Sequence, residues 1–335
     1  MSQLTADLII LAQSYPDEIL RPIRQTCLPA RLFPMKQARG KKATFVMEYG
    51  DGYTNAATIA DGGALNSGAV NASQVEPWLG FGLYKQTRDI SGRTQRVARI
   101  SGNPGDAADQ LAHNLGGAVK NVLRKIAHDF YRGNGTDTVS SQPCIVGLNS
   151  QLDDTGSHMN VARSSSNGLE AYVIDPGTAT PLTLDQIRLD LDEVRIASEE
   201  DPDVMLVGPR VATKMVGLFD GKVEYLNNLR EPGLMRWDAG GWRDTVFMFD
   251  GCRVIVDNSC PVDNIYYLNS NYVEFQHLMV DPSMGSDDDG LCPVPLEFVE
   301  LAKVADSSQF AVLTDIQLVV KKPNACGKRL HVSVG

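Results

Sequence analysis

The chain has 335 residues, of which 43% are hydrophobic, 21% charged and 7% aromatic, enough for two or three domains of ordinary size with real cores. No stretch approaches the ~18 to 20 consecutive apolar residues of a membrane-spanning helix, which excludes an integral helical membrane protein. Lys and Arg number 31 against 41 Asp and Glu, a net charge of −10, so the chain as a whole is no general nucleic-acid binder: phosphate affinity needs clustered cations.

In chain order, residues 1–42 read as an extended arm. Pro16, Pro22, Pro29 and Pro34 remove backbone donors and restrict the residues before them, leaving room only for a short helix around Leu4–Gln13. The opening residues lack a basic n-region and carry Asp7, which argues against a secretory signal and for a soluble, intracellular chain. Residues 43–102 form a second unit. Ala43–Tyr49 and Arg93–Ile100 have the composition of two long hairpin rails, and the Gly/Ala/Asn/Ser-rich stretch Gly50–Ser73 between them has little to build a core from. Trp78, Phe81 and Tyr84 follow, interleaved with Lys85, Arg88, Arg93, Arg96 and Arg99 against the lone Asp89. Aromatic residues beside cations suit a nucleic-acid surface, but one short basic stretch in an acidic chain fits a protein–protein contact better. The charge division agrees. Residues 1–102 carry 12 Lys/Arg and 8 Asp/Glu, while residues 103–335 carry 19 and 33. That asymmetry is either chance or a basic extension that lies on the acidic body of a neighbouring copy.

The clearest helix is predicted over Pro104–Arg132. Asn103 is a good N-cap and Pro104 suits the first turn. Leu111, Leu115, Ala118 or Val119, Val122, Ile126 and Phe130 form one apolar stripe, and Gly133 ends the helix. At ~1.5 Å per residue this is a rod of about 40 Å. Gly116 and Gly117 in its middle each cost roughly 1 kcal/mol relative to Ala and mark a bend. Beyond it the pattern is mixed α/β. Thr183–Gln186 is a capping box opening a helix through Ile187, Leu191 and Val194; Val204–Val207 is a buried strand leading into a second helix. Thr245–Phe249 and Cys252–Val256 form a hairpin around Asp250-Gly251, and Ile265–Leu268 with Tyr272–Phe275 has the look of another. Ala311–Lys321 and Arg329–Val334 return as strands.

No catalytic constellation emerges. Asp154-Thr-Gly-Ser157 spells the aspartic protease signature, but that chemistry needs two carboxylates sharing a proton, and no second copy of the motif occurs. The five histidines fit no paired metal spacing, and Asp287–Asp289 does not fit a calcium loop. Six scattered cysteines without a CxxC pair read as reduced, buried thiols. No cofactor or metal is expected.

The order of parts, an arm, a coreless hairpin and a long helix ending in Arg132-Gly-Asn-Gly-Thr136, continues through Gln142-Pro143, Gly147-Leu148 and Asp203–Pro209. It ends with Phe249–Asp257, Asn264–Asn269 and Thr314–Val319. So ordered, the chain resembles the major capsid protein of tailed bacteriophages, a fold shared with encapsulins. The resemblance implies an α+β fold: an N-terminal arm (1–42), an extended hairpin loop (43–102), a peripheral domain with a spine helix (103–136), an axial domain (137–264) and a return to the peripheral sheet (265–335). It further implies hexamers and pentamers of an icosahedral phage head enclosing double-stranded DNA without sequence specificity, with a separate scaffolding protein and a portal as partners. Assembly would take place in the host cytoplasm and the product would be the virion. Two alternatives stand beside it: an encapsulin-type compartment housing an enzyme cargo and, more distantly, an aspartic hydrolase using Asp154.

Overall fold

The computed structural model describes residues 28–49, 73–93, 105–137, 140–164, 167–219, 247–278, 294–301 and 307–333. The expected helix at Leu4–Gln13, the loop tip up to residue 72, the strand expected over 94–100, and Asn103 and Pro104 lie outside these residues. Eighteen elements carry the argument. In chain order they are β1 (Met35–Gln37), β2 (Met47–Tyr49), β3 (Ser73–Val75), β4 (Gly82–Ser91), α1 (Gly105–Arg132), β5 (Asn134–Thr136) and β6 (Pro143–Val146). There follow β7 (Tyr172–Ile174), α2 (Leu184–Ser198), β8 (Val204–Val207), α3 (Pro209–Phe219), β9 (Phe247–Phe249) and β10 (Cys252–Val256). The last are β11 (Ile265–Leu268), β12 (Val273–His277), β13 (Glu297–Leu301), β14 (Ser307–Val320) and β15 (Gly327–Arg329).

The chain divides into two compact units. The first comprises Met1–Ala43, Gly80–Ser150 and Val273–Val319. Its sheet is organised by β14. One edge of this strand pairs antiparallel with β4 from Ser307↔Ser91 to Ile316↔Gly82, and β13 pairs antiparallel with it from Leu301↔Gln309 to Glu297↔Leu313. β12 also joins β14, and β1 extends the sheet parallel to β12. The 28-residue α1 packs on this unit through Leu115, Ala118, Val119, Val122, Leu123, Ile126 and Phe130, all buried; these include the expected stripe from Leu115 onward, Leu111 being outside the described side chains. Phe130 meets Phe33 at 5.9 Å and Phe275 at 5.7 Å between ring centroids.

Two sequence expectations are corrected here. The arm does not stay extended to residue 42: Pro29–Leu32 is a helical turn, Ala30 and Phe33 are buried, and β1 is part of the sheet. Phe33 supplies the reason, since stacking on Phe130 anchors the segment to its own chain. The first hairpin rail pairs with β3, in the register Met47↔Val75 to Tyr49↔Ser73, a closer strand than the one expected; residues 94–100 of that expected strand lie outside the described residues. Between β3 and Arg93 the chain forms β4, whose residues alternate. Gly82 and Tyr84 are buried, whereas Leu83, Lys85, Thr87 and Asp89 are exposed, the period of a half-buried strand.

The second unit comprises Thr44–Leu79, Gln151–Tyr272 and Val320–Gly335. Its six-stranded sheet has the order β7-β15-β11-β8-β10-β9. The central β8, buried at all four positions, runs parallel to β10 and antiparallel to β11. Met205 and Val207 of β8, with Val254 and Tyr267, receive Ile187 and Leu191 of α2 and Val211 and Met215 of α3 in one core. The capping box of α2 is present in both directions: the Gln186 amide N–H donates to Thr183 Oγ1 at 3.3 Å, and the Thr183 N–H donates to Gln186 Oε1 at 3.1 Å. Asp250 and Gly251 both have positive φ (50° and 84°), as a two-residue hairpin of this kind requires. The second expected hairpin does not form. Both edges of β11 are already taken by β8 and β15, so after the turn at Asn269–Tyr272 the chain leaves for β12 in the first unit's sheet. Ile265–Leu268 therefore belongs with the second unit, and so does the stretch from Val320.

A buried histidine is expected to make this second unit acid-sensitive. His158 is 1% exposed, with Nε2 2.8 Å from the Val320 carbonyl oxygen; Nδ1 has no hydrogen-bond partner among the described residues. Burial is the main cause that pushes its pKa down to about 4. The unfolded chain therefore takes up this proton first. The contribution is intact above the ordinary imidazole pKa of about 6.5 and is lost as pH falls toward 4, a destabilisation of about 3 kcal/mol across that window. Urea unfolding at pH 7 and pH 4.5 should show the loss in the wild type, and His158→Gln should largely remove this pH dependence. An equal pH dependence in both proteins would assign the acid sensitivity to other groups.

Candidate assembly surfaces

The C-terminal turn of α1 is held by a buried polar cluster. The Tyr84 hydroxyl, carried inward by β4, donates to Asp129 Oδ2 at 3.0 Å and accepts from the Ile145 amide N–H at 3.1 Å. Burial first, and then the Asp129 charge, raise the Tyr84 pKa, so the phenol remains a proton donor. Lys125 Nζ lies 3.3 Å from Asp129 and donates to Asp137 Oδ1 at 2.7 Å. That bond and those from Ser140 hold the Asp137 carboxyl well below the usual range. The Gly133-Asn-Gly-Thr136 segment ends the helix: the Gly133 N–H donates to the Asp129 carbonyl oxygen at 2.8 Å, and β5 pairs with β6.

The aromatic and basic residues read from the sequence as one interface patch fall in both units and, along β4, on both faces of the strand. Trp78 lies in the second unit, 39% exposed, and its backbone N–H donates to the Met159 carbonyl oxygen at 3.0 Å. Phe81 is half-buried, Lys85 is exposed, Arg88 is half-buried with Nε unpartnered among the described residues, and Arg93 is exposed. Arg96 and Arg99 lie outside the described residues. Lys85 thus shares the outward face of β4 with Leu83, which is 51% exposed, while Arg88 points the other way. Arg39, Lys41 and Lys42, just ahead of the hairpin, are also exposed, and Val46 in the hairpin's approach is 70% exposed. Gly116 and Gly117 are half-buried within the continuous α1.

Sequence reasoning missed the outward face of α2. Leu189 and Ile196 are 60% and 74% exposed. Both fall off the buried stripe of Ile187, Leu191 and Val194, a mismatch that the helical period could have revealed.

Asp154 sits on an exposed turn, and Arg163 pins that turn by donating to the Thr155 and Gln151 carbonyl oxygens, each at 2.7 Å. Among the described residues no three His, Cys, Asp or Glu side chains are grouped to hold a metal. Cys144, Cys252, Cys260 and Cys326 are buried, and burial pushes the Cys252 and Cys326 thiols up to about 12, away from thiolate chemistry. No helix among the described residues is long and apolar enough to cross a membrane.

The family described as SU10 major capsid protein matches residues 83–331. No curated protein matches the sequence significantly. Among solved structures, the chain is similar to the capsid asymmetric unit of cyanophage A-1(L), with a TM-score of 0.71 at 16% identity over 92% of this chain and 93% of that one. It is also similar to the holo-SrpI encapsulin complex of Synechococcus elongatus, with a TM-score of 0.57 at 12% identity over 94% and 91%. A third similarity is to the capsid of an empty GTA particle, with a TM-score of 0.56 at 12% identity over 92% and 91%. At these identities the likeness is one of fold.

Proposed function

Since this chain belongs to the SU10 major capsid protein family, we propose that its copies form the hexamers and pentamers of an icosahedral phage head that encloses double-stranded DNA. The family makes it a structural component of a bacteriophage capsid. In the finer reading, the first unit is the peripheral domain and the second the axial domain. The hairpin reaches over a neighbouring copy, and α1 bends near Gly116 and Gly117 to suit different positions in the shell. DNA contact is weak and sequence-independent, in keeping with the net charge of −10. A separate scaffolding protein and a portal complete the assembly, which takes place in the host cytoplasm and ends in the virion. No catalytic turnover is involved.

The observation that supports this reading best is the hairpin of β2 and β3. A two-stranded ladder is marginal alone in water, and this one is approached through Val46, 70% exposed, just after the exposed cations Lys41 and Lys42. An apolar residue beside cations suits the acidic surface of a sister molecule.

Deleting Gly50–Ser73 tests it. The expected product is soluble, folded protein that forms no closed shells in negative-stain microscopy, alone or with scaffold; normal shells would remove the hairpin's role. The fold likeness to an encapsulin keeps a cargo compartment as the second reading, and the contents of purified shells, DNA or an enzyme, decide between them.

A further inference from the structure

The second unit presents two helical faces that match each other. On α2, Leu189, Glu193 and Ile196 are all exposed and follow the i, i+4, i+7 spacing that aligns side chains in one ridge, about 10 Å long. The neighbouring charges on this helix are satisfied within the chain: Asp185 lies 3.8 Å from Arg188, and Asp192 lies 3.0 Å from Arg195. Arg195 also reaches Asp201 at 2.6 Å and Asp250 at 3.3 Å. Glu193 has no ion pair among the described residues. The ridge is therefore two large apolar side chains around one unpaired carboxylate.

On α3, Arg210, Lys214 and Gly217 repeat the same spacing. With Thr213 and Leu218 they line an open groove of about 580 Å³. Val216 beside it is 41% exposed, and a Cβ placed on Gly217 would meet nothing within 4 Å. Neither Arg210 nor Lys214 has an ion pair among the described residues. This face is apolar at one end, open at Gly217 and cationic along its length.

We infer that the α2 ridge of one copy docks, in parallel register, on the α3 face of the next. Ile196 enters the opening at Gly217 against Val216 and Leu218, Glu193 pairs with Lys214, and Leu189 covers the aliphatic stem of Arg210. The occupant is a second copy of this chain because the two faces complement each other in both charge and spacing. The two faces are different patches, so the contact is heterologous and propagates from copy to copy into a ring when the rotation closes. This inference rests on the shell reading and adds to it the side chains that join neighbours.

Charge reversal tests it. Glu193→Lys and Lys214→Glu should each lower the yield of shells or rings about tenfold or more, the effect of a lost pair worth 1.4 kcal/mol or above at every contact. Thermal midpoint and circular dichroism should stay those of the wild type. The double reversal should restore assembly. As a second measurement, the Ile196→Cys/Gly217→Cys protein, which keeps the Glu193–Lys214 pair and has room for a side chain at position 217, should give a ladder of disulfide-linked copies when oxidised after assembly. Normal assembly of both single variants, or a folded double reversal no better than they are, or only monomers after oxidation, would overturn the docking while leaving the shell reading in place. A wild-type protein that never assembles, alone or with scaffold, would sink both.

Discussion

Gly147→Ala is expected to leave the first unit unable to hold its native packing, at a cost of about 3 kcal/mol or more. A Cβ on Gly147 would collide with the Asp129 carbonyl oxygen and stand 2.7 Å from that of Phe130. Both are backbone atoms of the last turn of α1, so no side-chain rotation relieves the clash. Nor can the strand back away. The Gly147 N–H donates to the Gly133 carbonyl oxygen at 2.8 Å, the Gly133 N–H donates to Asp129 at the same distance, and a Cβ on Gly133 would itself meet the Ile145 carbonyl oxygen. Displacing β6 would also break the bond from the Ile145 N–H to the Tyr84 hydroxyl. Urea unfolding of the variant, or its recovery only from inclusion bodies, checks the expectation. Gly117→Ala supplies the opposite sign. Nothing lies within 4 Å of the added methyl group, so it should stabilise the chain by up to about 1 kcal/mol through helix propensity alone. Unchanged stability of Gly147→Ala would show that α1 and β6 are not locked backbone to backbone.

What could be read from the sequence follows from how local each signal is. The stripe of α1, the Thr183–Gln186 capping box and the Asp250-Gly251 turn are fixed by residues within a few positions of one another, and each is found where its pattern places it. Strand partnership is not local. Nothing between Gly82 and Ser91 announces that its partner lies more than two hundred residues on, in β14, and the cations at Lys85 and Arg88 mask the alternation around them. Ile265–Leu268 and Val273–His277 have hairpin spacing, yet lie in different sheets because β8 and β15 occupy both edges of the first. The candidate interface suffered in the same way. Composition gathered Tyr84, Lys85 and Arg88 into one patch, whereas the pleat buries the first, exposes the second and turns the third inward. The chain ahead of α1 likewise has a partial core of its own: Phe33, Ala43 and Tyr84 are buried, which confines the proposed reach over a neighbour to the hairpin in Thr44–Leu79.

Asp190→Ala should be the most damaging single change in the second unit. The carboxylate is 1% exposed and accepts three hydrogen bonds: from Arg329 Nε and Nη2, each at 2.6 Å, and from the Tyr267 hydroxyl at 2.7 Å. These bonds tie α2 to β15 and β11, two neighbouring strands of the six-stranded sheet. Burial by itself would lower the Arg329 pKa, but Asp190 outweighs it and holds the guanidinium above its ordinary value. Removing the carboxylate leaves that charge buried without a counter-ion, at an expected cost of about 3 to 5 kcal/mol. Asp190→Asn should cost less, because the amide oxygen still accepts while its NH2 group faces a donor. The double variant Asp190→Leu/Arg329→Met should recover most of the loss, since replacing both members of a buried pair by apolar groups of similar volume is often close to neutral. A double-mutant cycle by chemical denaturation isolates the coupling. A loss below about 1 kcal/mol for Asp190→Ala would mean that water reaches Arg329 once the carboxylate is gone, and that the seat of α2 on its sheet rests on Ile187, Leu191 and Val194 alone. Because α2 also carries the proposed docking ridge, assembly of the double variant should follow its recovered stability.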